Sequence, residues 1–85
     1  MTSDQVQARA LGDPTRHRIF RYLGDADHPV GIAELTEHVG VHHNAVRQHL
    51  ARLVDAGLVV EHTAHPSGRG RPRLEYSTSS EAAGR

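Results

Sequence analysis

The 85-residue sequence predicts an α+β fold, mainly α, built from about four short helices, one short strand and a C-terminal β-hairpin. Three observations predict it. Gly and Pro cut the chain into short pieces at Gly12-Asp13-Pro14, Gly24-Asp25, His28-Pro29, Gly31, Gly40, Gly57 and from Pro66 to Pro72. Between the cuts, up to Ala56, apolar residues recur at helical spacing. Beyond Gly57 the pattern changes to strand-like segments around a Pro/Gly-rich loop.

Each element has a local cause. Asp4 to Leu11 reads as a short first helix. Asp13 then supplies an N-cap and Pro14 the first helical position, starting a helix that gathers Ile19, Phe20 and Leu23 on one side and is expected to stop at Gly24. His28 to Ile32 reads as a short extended stretch. A third helix is expected from Ile32 to Val39, with Gly31 as N-cap and Gly40 as its end. The fourth is expected from His43 to Ala56, closed by Gly57. With Val46 as origin, Leu50, Leu53 and Val54 lie within about 80° of it, which predicts a core stripe. Leu58 to His62 and Arg73 to Ser77 have strand composition, and the turn formers from Thr63 to Pro72 make the hairpin tip. Leu58, Val60 and Leu74 are expected to be buried. The segment from Ser77 to Arg85 is small and polar and reads as frayed.

Composition limits the function. Hydrophobic residues make up 36% and charged residues 24%, enough for one small domain. The longest apolar run, Leu58-Val59-Val60, is far short of a membrane span of about 20 residues. With no Cys there is no disulfide and no thiolate site. These features fit a cytoplasmic protein with no membrane partner. Net charge is zero but unevenly placed: residues 1–40 carry four Arg against six acids, and residues 41–85 six Arg against four. The stretches His42–Val54 and His62–Leu74 contain Arg and no acid. A purely electrostatic nucleic-acid binder is excluded, while a directed one is permitted.

Two short helices about a short turn at Gly40, followed by a hairpin, form a winged helix-turn-helix, whose second helix enters the DNA major groove. The outward face of that helix presents Asn44, Gln48 and Ala51, flanked by Arg47 and Arg52. Asn and Gln pair bidentately with adenine, and Arg with guanine or phosphate. His42 and His43 start the helix, where a phosphate would favour their protonation. The tip carries Arg69, Arg71 and Arg73 spaced by Gly and Pro, a thin basic segment suited to a minor groove, and Arg69-Gly70-Arg71-Pro72 matches the core of an AT-hook. The candidate DNA-binding residues are therefore His42, His43, Asn44, Arg47, Gln48 and Arg52 on the helix and Arg69, Arg71 and Arg73 on the wing.

The segments Leu11-Gly-Asp-Pro-Thr-Arg-His-Arg-Ile-Phe-Arg-Tyr-Leu23 and Ala45-Val-Arg-Gln-His-Leu-Ala-Arg-Leu-Val-Asp-Ala-Gly-Leu58 resemble the opening and the recognition helix of ArsR-like winged-helix repressors. Gly68 to Tyr76 resembles the Arg-rich wing of the subset similar to SufR. The resemblance covers residues 8–77. It implies a bacterial, nucleoid-associated regulator, in most cases a repressor, binding two-fold operators as a dimer. Residues 1–77 are then expected to be the DNA-binding domain, and 78–85 a disordered tail or the start of a linker to an absent effector domain. The chain departs from the family pattern at Glu34-Leu-Thr-Glu-His38, where metal-sensing members place Cys, and at His42-His43-Asn44, where relatives often have Ser or Thr.

Other functions fit less well. Eight His invite a metal reading, but Gly40 interrupts the pair His38 and His42, and His62 and His65 lack a third ligand nearby. No metal, cofactor or catalytic residue is expected. His49, beside the core stripe, is expected to bond backbone or phosphate, and Arg16 a carboxylate or carbonyl at the core edge. The alternative to DNA binding is a protein-interaction module that uses the same helix. Val6, Ala10 and Leu11 offer a short seam for a weak homodimer. No effector is legible.

Overall fold

A computed structural model of the chain describes residues 3–64 and 72–83. In chain order the elements are α1 (Ser3–Ala10), α2 (Pro14–Asp25), β1 (Val30–Gly31), α3 (Ile32–Val39), α4 (His43–Asp55), β2 (Val59–Ala64), β3 (Arg73–Thr78) and a short α5 (Ser80–Ala83). The sheet is antiparallel in the order β1-β3-β2. Tyr76 at its centre faces Val30 on one side and Glu61 on the other.

The helices pack around Ile19, Leu35, Val46, Leu50 and Leu53, and the sheet adds Val30, Val59 and Tyr76 to the same core, with Leu58 just ahead of β2 rather than in the strand as expected. Asp13 caps α2 through Oδ1, which accepts from the Arg16 N–H at 3.0 Å. Gly40 and Gly57 adopt φ of 72° and 75°, a left-handed backbone that ends α3 and turns the chain out of α4. Leu58 then donates its N–H to the Leu53 carbonyl at 3.0 Å, which fixes the entry into β2.

Several expectations are corrected. Gly24 does not end α2, because it keeps a helical backbone, and the helix closes one residue later with the Ala26 N–H on the Tyr22 carbonyl. Val54 lies on the rim of the α4 stripe and is 36% exposed. Val60 and Leu74 are each 40% exposed. Strand alternation turns Val60 away from the face that buries Val59, and Leu74, on the face of Tyr76, lies two residues nearer the hairpin tip. The frayed reading fails at residues 80–83. Ser79 Oγ bonds the Gly57 carbonyl at 2.8 Å and accepts from the Ala82 N–H at 3.1 Å, and Ala82 is buried. In α1, Ala10 is buried in the chain's own core rather than offered to a partner, while Val6 and Leu11 are partly covered.

Candidate nucleic-acid interface

α3 and α4 are joined by three residues, Gly40, Val41 and His42. Leu35 and Val39 of α3 and Val46, Leu50 and Leu53 of α4 are buried together, so the outer face of α4 is set by its inner one. That outer face carries Asn44, Arg47, Gln48, Ala51 and Arg52, all exposed. Arg47 lies on the flank toward the sheet, where its charge acts on the Tyr76 hydroxyl. Burial, then a 2.9 Å hydrogen bond to Glu61, pushes Tyr76 up to about 12, so it remains a neutral donor. An open groove of about 770 Å³ separates α3 and α4 from the hairpin, with Arg47 on one wall and Arg73 and Leu74 on the other. Among the described residues the only ion pairs are those of His28, so Arg47, Arg52 and Arg73 have no carboxylate partner within 4.0 Å.

His42 has a structural role that the sequence did not signal. It is the N-cap of α4, its Nδ1 accepting from the Asn44 N–H at 3.1 Å. His43 is exposed, with its ring centre 4.1 Å from that of His42. Arg73 is exposed at the start of β3. Arg69 and Arg71 lie outside the described residues. His49 accepts at Nδ1 from Arg16, whose Nε lies 3.3 Å away, a side-chain contact not expected of it. Arg16 also donates to the Ala10 carbonyl at 3.2 Å, the carbonyl contact expected of it.

One network had no signal in the sequence. Tyr22 of α2 donates to Glu34 of α3, and its ring lies 4.3 Å from that of His38. Both nitrogens of His28 face carboxylates, Asp27 at 3.0 Å and Glu34 at 3.2 Å. Hydrogen bonding to Asp27, then to Glu34, raises the His28 pKa above its ordinary 6.5. Hydrogen bonds from Tyr22 and then His28 lower Glu34 below 4.5. Glu34 and His38 are one turn apart on α3, but Tyr22 and His28 lie on other segments, so only the folded chain brings the network together. Among the described residues no group of three or more His, Cys, Asp or Glu could hold a metal ion.

Comparison with known proteins gives a consistent picture. The family described as Helix-turn-helix domain matches residues 11–62. A chain of Halobacterium salinarum that carries the name of an arsenical resistance operon repressor, ArsR2, is 41% identical over 59 residues, 69% of this chain and 50% of that one. The chain thus spans about half the length of the curated relative it matches. Reduced HlyU of Vibrio cholerae superposes with a TM-score of 0.76 at 25% identity, over 95% of this chain and 77% of that one. The homodimeric winged helix-turn-helix DNA-binding domain of a Mycobacterium bovis protein superposes with a TM-score of 0.77 at 20% identity, over 95% and 68% of the two chains.

Proposed function

The chain belongs to the helix-turn-helix domain family, with an ArsR-like winged-helix fold, and on that premise we propose that it binds duplex DNA sequence-specifically as a transcriptional regulator. One observation carries the reading. The exposed face of α4 presents two amide side chains and two guanidinium groups, the latter without an ion pair among the described residues, on a helix whose opposite face is locked into the core. These are the groups that pair with base edges and phosphates, and leaving two Arg uncompensated fits an anionic partner. Asn44, Arg47 and Gln48 read bases in the major groove. Arg73, with Arg69 and Arg71 ahead of it, lies along the backbone or minor groove beside it.

His42 supports this reader as its cap, and His43 stands next to the phosphates. A homodimer would match a two-fold operator, and the Mycobacterium bovis domain is homodimeric. Its seam uses the partly covered Val6 and Leu11 of α1 and its turn. A regulator of this kind works in the cytoplasm without cofactor or catalytic step. Among the described residues no helix is long and apolar enough to cross a membrane.

Selection of bound sequences from random duplex DNA, followed by footprinting, tests the proposal. The expected result is a palindrome, with affinity falling steeply in salt at a slope near −0.9 per phosphate contacted. Enrichment of no sequence, with protein partners retained at high salt, would favour the protein-interaction reading instead.

A further inference from the structure

The two flanks of α4 differ. The Arg47 flank faces the groove toward Arg73 and the hairpin. The other carries His49 and Arg52, and the N-terminal turn of α2 lies against it. There Arg16 is held at several points. Its backbone N–H is taken by Asp13, and its guanidinium donates to the Ala10 carbonyl and to His49 Nδ1. A guanidinium is always protonated and can only donate. His49 Nδ1 is therefore the acceptor, which leaves Nε2, at the opposite edge, as the ring's donor.

His49 is half-buried and lines an open groove of about 330 Å³ with Arg16, Gln48, Ala51, Arg52 and Asp55. Gln48 and Ala51 belong to the base-reading face, so the groove opens directly beside it. Asp55 is the acid among these lining residues and forms no ion pair with either Arg. A helix lying in a major groove about 12 Å wide has a phosphodiester wall on each side. The hairpin and Arg47 answer to one wall only.

We propose that His49 and Arg52 seat a phosphodiester of the second groove wall, with Arg16 as a positioning residue that fixes His49 as the tautomer donating from Nε2. The inference rests on the DNA-binding reading and adds to it a contact line on the α2 side of the recognition helix.

The tautomer is tested first, without DNA. The ¹⁵N spectrum of the His49 ring should show Nε2 bearing the proton and Nδ1 free of it, and Arg16→Gln should weaken that preference. A proton on Nδ1 in the parent protein overturns the proposal. The second arm measures affinity for the selected operator and for random duplex. His49→Gln keeps a donor near the position of Nε2 and should bind within about twofold of the parent, whereas His49→Asn keeps only the inner acceptor and should lose about five- to tenfold on both DNAs. Arg52→Ala should reduce the salt slope by about one unit. Equal binding by the Gln and Asn variants, with an unchanged slope for Arg52→Ala, overturns the phosphate seat. Arg47→Ala separates the two readings. If it abolishes operator preference while the His49 and Arg52 variants are silent, DNA recognition stands and the second contact line falls. If no variant and no parent binds DNA, both fall. A misfolded Arg16→Gln leaves the Gln/Asn pair as the deciding measurement.

Discussion

α4 and the hairpin both offer Arg toward the proposed DNA face, yet they are held in opposite ways. α4 is fixed from behind by Val46, Leu50 and Leu53, none more than 1% exposed. Among its described residues the hairpin is buried at its base, through Leu58, Val59 and Tyr76, and toward the tip Leu74 is already 40% exposed. The base-reading side chains stand on the part of the molecule with the most packing behind it. Arg73, which supplies charge, stands where that packing thins. Position matters for a bidentate base contact, which loses its geometry within a fraction of an ångström. Charge against a phosphate tolerates a looser mount.

Substitutions should separate the two mounts, and the largest effect is expected in the core. Leu53→Ala should cost about 2–5 kcal/mol in urea unfolding, while Leu74→Ala should cost under about 1 kcal/mol because much of that side chain is already in water. Equal costs would mean that the hairpin is packed as tightly as the helix. Arg47→Ala or Gln48→Ala should weaken operator binding by about 1–3 kcal/mol and random DNA by less. Loss of equal size on both DNAs would move these residues from reading to simple charge.

Next in size is the cap. His42→Ala should destabilise the fold by about 0.5–2 kcal/mol, and His42→Asn should restore most of it, since the amide oxygen replaces Nδ1 as acceptor. On the wing, replacing Arg69 and Arg71 together by Ala should lower the salt slope by about 1–2 units on all sequences and change stability by less than about 0.5 kcal/mol. A large stability change would show that the wing is structural.

The smallest effect concerns pH. His28 is raised above 6.5 by Asp27 and Glu34, so its contribution to stability is complete below about 6.5 and fades as pH climbs through the folded-state value. Glu34 is lowered below 4.5, so its share is present above that value and is lost as pH falls through its folded-state value. His28→Gln should flatten the alkaline side of the stability curve. Both groups are well exposed, so the change will be slight, and urea midpoints between about pH 6 and 8 measure it.

Much of this was legible in the sequence, and the exceptions have physical causes. α3 begins and ends where Gly31 and Gly40 predict, because a glycine cap and a left-handed glycine are local signals, and α4 begins at His43 as expected. Burial of Val60 and Leu74 was misjudged because strand propensity does not say which face a partner covers. The docking of Ala82 was invisible, since a Ser-Ala-Gly segment has no period, and a single hydroxyl, Ser79 Oγ, ties it down. On the candidate site, helical spacing found the outward residues of α4. It could not find the Arg16–His49 bond or the Tyr22–Glu34–His28 network, which join residues distant in sequence.

The pairing of Val30 with Tyr76 has a consequence for the order in which the molecule assembles. β1 is made early in synthesis, while β3, its neighbour in the sheet, comes after α3, α4 and β2. A growing chain can therefore collapse its helices while β1 still lacks a mate. Closing this long loop costs entropy that only the finished sheet repays, so the strand pairing that sets the hairpin beside α3 should form late and limit the folding rate. The reading helix would be in place before the basic arm is drawn alongside it.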